Sequence, residues 1–220
     1  MQGNSLSQPS QTAIPTGEND HFPVSPNIAF DVNVPDEAKT WFPMRIAHGR
    51  PERVLAIRDF LNRHKVENFL PLTYREEVEN GRRKRKLVPA INNLIFIRTA
   101  EKSLIDMKRF FRELLPLRFM MWTSHENSGA THIIRISDHD MQNFIRVASL
   151  TDDRVIFLGN KDFSQKIGKR VRITDGIFAG TEGTVYRVRK NRHVVISLDK
   201  VCSVAIAYIN PNYLQEIEEV

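Results

Sequence analysis

Apolar residues along this chain recur with two different periods, and the places where one period gives way to the other mark the expected elements. Trp41 to Ala47 has the texture of a strand, and Pro43 moves it to a sheet edge or a bulge. Behind it, Pro51 suits a first helical position, and Val54, Ile57, Phe60 and Leu61 recur on one face of a helix running to about His64. Phe69 to Tyr74 predicts a second strand. Glu79-Asn80-Gly81 followed by Arg82 to Lys86 predicts a turn and a basic hairpin arm. Leu87 to Ile97 is another apolar strand, interrupted by Pro89 and Asn92-Asn93.

Ser103 with Asp106 three residues on has the form of a capping box, and Leu104, Met107, Phe110, Phe111 and Leu114 continue as an apolar stripe until Pro116. Arg118 to Trp122 reads as a short strand and Glu126 to Gly129 as a loop. Ser137 with Asp140 then opens a third helix bearing Met141, Phe144, Ile145 and Ala148. That order predicts an α+β sandwich over residues 41–150, with helices packed on an antiparallel sheet. Residues 151–165, polar and broken by Gly159-Asn160, read as a linker.

Beyond the linker the pattern is all β. Val171 and Ile173 alternate with Arg170, Arg172 and Thr174, Asp175-Gly176 ends that strand, and Gly180 and Gly183 precede another from Thr184 to Val188. A basic turn leads into Val194 to Leu198. Residues 166–220 are thus expected to form a small twisted barrel. The first forty residues carry five prolines among Ser, Gln and Asn with no helical or strand period, and are expected to be a disordered leader, with Phe22 and Phe30 as its only evident anchors.

Charge changes this picture in one respect. The formal net charge is +6, and residues 41–150 hold most of the surplus, with 20 basic against 12 acidic side chains. Such a surplus favours polyanionic partners. The single cysteine, Cys202, forbids an internal disulfide and a thiolate metal cage. No apolar run approaches the roughly 20 residues that cross a bilayer, so a soluble, cytoplasmic protein with no membrane association is expected. No Walker loop, Gly-x-Ser-x-Gly elbow or His-Glu-x-x-His is present, and the even spacing of His125, His132 and His139 lacks acidic or cysteine companions at a metal-site spacing. Neither an enzyme nor a metal or cofactor protein is expected.

Gly168, Val171, Ile173, Gly176, Phe178, Gly180, Gly183, Val185 and Val188 resemble the KOW motif of NusG-family transcription factors and several ribosomal proteins, an SH3-like barrel. The middle region resembles the NGN domain of the same family. Trp41-Phe42-Pro43 is similar to its opening strand, Phe69-Leu70-Pro71 to its Phe-x-Pro segment, and Ser137-Asp138 to its Ile-Ser-Asp helix start. The segment Arg85 to Ile97 departs from the general factor, where a Pro-Gly-Tyr usually stands, and looks more like the UpxY-type antiterminators dedicated to polysaccharide operons.

The resemblance implies a monomeric transcription antitermination factor without catalysis. Its NGN domain would hold the clamp helices of RNA polymerase through an exposed apolar patch, for which Trp41, Leu87, Val88, Ile91, Phe96, Phe119 and Met121 are the candidates. Arg45, His48, Arg50, Arg82, Arg83, Lys84, Arg85 and Lys86 are the basic candidates for non-template DNA or the acidic polymerase surface. No aromatic residue interleaves with those charges in the sequence, so a single-strand stacking platform is not expected. Phe178 lies in the loop that the family uses to recruit ribosomal protein S10 or Rho, and Arg187, Arg189 and Arg192 could touch nascent RNA. The competing reading is a KOW protein that binds RNA or the ribosome.

Overall fold

A computed structural model describes residues 35–124, 129–158, 168–188 and 191–218. The chain enters through a 3-10 turn, Asp36–Ala38, where a tail was expected to continue to residue 40, and Thr40–Ile46 forms β1. Helix α1, Pro51–Arg63, follows with the proline in its first turn, where a missing N–H costs nothing. Then come β2 (Glu67–Phe69), β3 (Leu72–Glu79), β4 (Arg82–Pro89) and β5 (Leu94–Thr99). The expected single strand from Leu87 to Ile97 is therefore two strands, belonging to different sheets.

Helix α2 spans Glu101–Phe110, and β6 (Leu117–Phe119), β7 (Met121–Thr123) and β8 (Thr131–Ile133) lead to α3, Asp138–Ala148. Ser137 caps α3 as expected, its Oγ accepting from the Asp140 N–H at 3.1 Å. Ser103 does not cap α2. Only Ala100 separates β5 from that helix, so the first helical bond runs from Leu104 N to Ala100 O at 3.0 Å and Ser103 is already inside. The helix also stops at Phe110, and Phe110 is exposed rather than on the apolar stripe.

Strands β2-β5-β1-β6 make one four-stranded sheet, with each neighbouring pair antiparallel. Its two faces follow from the strand period. Phe42, Met44, Ile46, Ile95 and Ile97 face α1 and α2, packing with Val54, Leu61, Leu104 and Met107 in one buried core. Trp41, Leu94 and Phe96 face the other way and pack with Met141, Phe144 and Val147 of α3. Every residue of β5 is buried, because helices cover both sides of it. β3 and β4 leave this sheet and form a separate two-stranded hairpin, and β7 and β8 form another.

The remaining strands, β9 (Val155–Leu158), β10 (Arg170–Ile173), β11 (Glu182–Val188), β12 (Asn191–Leu198), β13 (Cys202–Ala207) and β14 (Leu214–Glu216), form a six-stranded antiparallel sheet in the order β14-β10-β11-β12-β13-β9. β9 lies in the stretch expected to be linker. Ser203↔Leu158 through Ile206↔Val155 pair it to β13, so the all-β region begins by residue 155. A Cβ on Gly183 would stand 2.7 Å from the Val195 carbonyl oxygen, and one on Gly168 would stand 2.0 Å from that of Val185. Both positions need glycine for close backbone approach.

Candidate functional site

Helix α3 is where the two regions meet. Its apolar residues share one continuous core with Val171, Ile173, Phe178, Val194 and Ile196 of the second region. Polar groups fix the register at its rim. The Asn143 side chain reads both backbone groups of Glu182, donating from Nδ2 to the carbonyl at 2.5 Å and accepting the Glu182 N–H at 2.9 Å. The Arg146 guanidinium donates to the Gly180 carbonyl. At the other end Lys200 Nζ lies 3.8 Å from the Trp122 ring centroid, a cation over the aromatic face.

The first residue of α3 is also tied to the sheet. Arg98, almost wholly buried, donates to Asp138 at 2.8 and 2.9 Å, to Asp36 at 2.7 and 3.0 Å, and to Glu67 at 3.2 Å. Hydrogen bonds from Arg98 hold the Asp36 and Asp138 carboxyls below their usual range, against the opposing effect of desolvation. This cluster joins the entering chain, β2 and α3 around one guanidinium. In the second region burial pushes the Cys202 thiol up to about 12, with the Arg45 charge acting against it, so Cys202 is an inert packing residue.

The expected apolar patch is not assembled on one surface. Trp41 and Phe96 are sealed beneath α3, and the Phe96 and Phe144 rings lie 5.6 Å apart. Phe119 points to the opposite face, edge-on to Phe42 at 5.8 Å with Lys108 Nζ over its ring. Val88 is buried at the base of the β3-β4 hairpin, while its neighbour Leu87, on the hairpin's other face, is 39% exposed. Ile91 is partly buried against the α3-side core, and Met121 is 50% exposed on β7. The expectation of exposure is therefore corrected for Trp41, Val88 and Phe96. Strand alternation is the reason, because neighbouring apolar residues of one strand point to opposite faces of the sheet.

Among the basic candidates, Arg45, His48 and Arg50 are exposed at the end of β1 and in the loop to α1. That loop lies beside the base of the hairpin, with Ile46 N donating to Asn93 O at 2.9 Å. Residues 82–86 stand on the outer part of β4, all exposed. The hairpin also brings in an aromatic residue that the sequence separates from them. Register places Tyr74 opposite Leu87, and the Arg85 guanidinium carbon lies 4.9 Å from the Tyr74 ring centroid. Ten residues of chain separate the two, and only the hairpin register brings them together.

Phe178 is only 3% exposed and carries the Arg154 guanidinium over its ring at 4.9 Å. The expected open anchor is thus a core residue, because its loop folds inward between the left-handed turns at Gly176 and Gly180. Arg192 is exposed, the backbone of Arg187 lies in β11, and Arg189 falls outside the described residues. His125 lies outside them too. His132 stacks at 5.1 Å on Trp122, and His139 approaches Asp140 at 3.5 Å. No group of three or more His, Cys, Asp or Glu among the described residues could hold a metal ion, and no helix there is long and apolar enough to cross a membrane.

No family model matches the chain, and neither does any curated protein. Among solved structures, one titled "Domain interaction in Thermotoga maritima NusG" is similar over 84% of this chain and all of its own, at 13% identity and a TM-score of 0.39. A likeness of that size carries no argument about what this chain does.

Proposed function

We propose that this chain is a NusG-like transcription elongation and antitermination factor that binds RNA polymerase through residues 41–150, dedicated to particular operons rather than general. One observation carries the reading: the glycines that resemble the KOW pattern stand where nothing else fits. Gly168 and Gly183 have backbone where a Cβ would go, and Gly176 and Gly180 have φ of 81° and 78°. These positions follow, in the resembled order, a helix-flanked antiparallel sheet entered at Trp41.

On this reading polymerase is gripped by surface rather than by catalysis. Leu87 and Met121 are exposed and available directly, whereas Trp41 and Phe96 are not. They hang from different hairpins, so the contact would span the sheet instead of filling one pocket. A deeper apolar surface lies beneath the second region, along the outer side of α3. The β12 to β13 region that covers it would have to move for a partner to use it.

The test is co-elution of the purified full chain with core RNA polymerase at physiological salt, beside the same chain with naked RNA. Co-elution with polymerase supports the proposal. Binding to RNA alone, with steep salt dependence, favours an RNA- or ribosome-binding protein instead.

A further inference from the structure

Beyond its buried base at Val88 and Pro89, the β3-β4 hairpin takes no part in the packing described above. Residues 74–87 are exposed without a break, so six residues of each strand project from the sheet, with Tyr74 and Arg85 bordering a cleft that Asp152 and Asp153 also line. At about 3.4 Å per residue that is an arm roughly 20 Å long. Asn80 and Gly81, at φ 52° and 72°, close its tip in the left-handed turn whose twist matches a two-stranded ribbon. Exposed backbone and charged side chains of this length are held only by one partner strand.

Its charges are arranged with care for which ones are free. Six cations, Arg75 and residues 82–86, face three carboxylates, Glu76, Glu77 and Glu79. Each carboxylate has a cation across the ribbon: Lys84 to Glu79 at 2.7 Å, Arg83 to Glu76 at 3.9 Å and Lys86 to Glu77 at 3.9 Å. Arg75, Arg82 and Arg85 have no carboxylate within ion-pair distance among the described residues. Register puts Arg75 and Arg82 on one face of the ribbon and Arg85 on the other.

We infer that this arm is a β-ribbon that enters the major groove of duplex DNA, with Arg75, Arg82 and Arg85 on its phosphate walls. A two-stranded ribbon matches a groove about 12 Å wide and 8.5 Å deep. Guanidiniums without a carboxylate partner on both faces suit two phosphate walls, whereas a partner laid flat on one face would leave the other face unmatched. A single strand is disfavoured by the one aromatic residue present. The Tyr74 ring already carries the Arg85 guanidinium, so it is not an open platform for a base. Duplex RNA is disfavoured because its major groove is too deep and narrow to admit side chains. Val78, 73% exposed beside the tip, lies on the Arg85 face and can contact base edges or thymine methyls.

The inference stands apart from the polymerase reading, since the test contains no polymerase and either can fail alone. Anisotropy of a labelled DNA duplex about two helical turns long is measured with the full chain across a salt series. A single strand of the same sequence, an RNA duplex and a poly-glutamate peptide run in parallel. The chain should bind the DNA duplex most tightly. Arg75→Ala, Arg82→Ala and Arg85→Ala together should lower affinity about 10- to 100-fold at low salt and make the slope of log K against log salt shallower by about 3. The corresponding triple lysine variant should recover the slope, and removing Lys102, Arg109 and Arg112, which are exposed on and beside α2, should change it much less. Equal losses from the arm and α2 triples, tighter binding of the single strand or the RNA duplex, or binding only to poly-glutamate would each overturn the inference.

Discussion

β5 and β4 are neighbours in sequence, four residues apart, and are opposites in the fold. All six residues of β5 are buried, whereas the first six of β4 are exposed. Both are antiparallel strands with satisfied ladders on at least one side. The difference is what lies above and below them. β5 has α1 and α2 on one face and α3 on the other, so each side chain, including Arg98, must find a partner inside. β4 leaves the sheet before any helix can cover it, so its side chains answer to solvent and to whatever binds there. Burial sets what each side chain of the first strand must satisfy, and solvent sets it along the outer part of the second.

The contrast between the two strands is largest at Phe96. Phe96→Ala should cost about 3–5 kcal/mol, read as a lowered urea midpoint, because the ring is fully buried against Phe144 and Phe69. A cost near zero would mean that α3 does not cover this face. Arg98→Met should cost on the order of 2 kcal/mol, less than a fully buried pair because its three carboxylates keep contact with water.

The same cluster predicts a pH effect with a definite sign. Asp36 and Asp138 have folded pKa values below the ordinary 3.8, so their contribution is complete above that pH and is lost as pH falls through the lowered values. Wild-type stability should therefore decline on acidification below about pH 4, and Arg98→Met should flatten that decline. Denaturant melts at a series of acidic pH values measure both.

Asn143→Ala sharpens the contrast at the seam between the regions. It removes two hydrogen bonds and leaves the Glu182 backbone groups without their partner, for a cost of about 1–2 kcal/mol. Faster hydrogen exchange at the Glu182 amide is the specific readout. The smallest effect belongs to the arm, where Val78→Ser should stay within about 0.5 kcal/mol of wild type in the same melts.

Helices α1 and α3 were legible because their signals are local: Pro51 at a helix start, Ser137 bonded to the Asp140 amide, and apolar residues on one stripe. The arm's turn at Asn80-Gly81 was legible for the same reason. The start of α2 was not, since it depends on how tightly the chain leaves β5. Nor was the candidate surface. Trp41, Phe96 and Phe119 are all apolar strand residues, but register sends the first two under α3 and the third toward α1 and α2. The contact of Tyr74 with Arg85, and the capture of Val155–Leu158 by β13, are likewise products of long-range pairing. Local chemistry is written in the chain, and which face a strand shows is decided by its neighbours.

If polymerase is held by apolar side chains left outside this fold, Leu87→Glu is the substitution that removes the grip. Leu87 is exposed at 39%, so the change should leave the thermal transition in place while lowering affinity for core RNA polymerase at least ~10-fold, as expected for an interface anchor worth more than 1.4 kcal/mol. Undiminished binding by a folded Leu87→Glu chain would contradict such a grip.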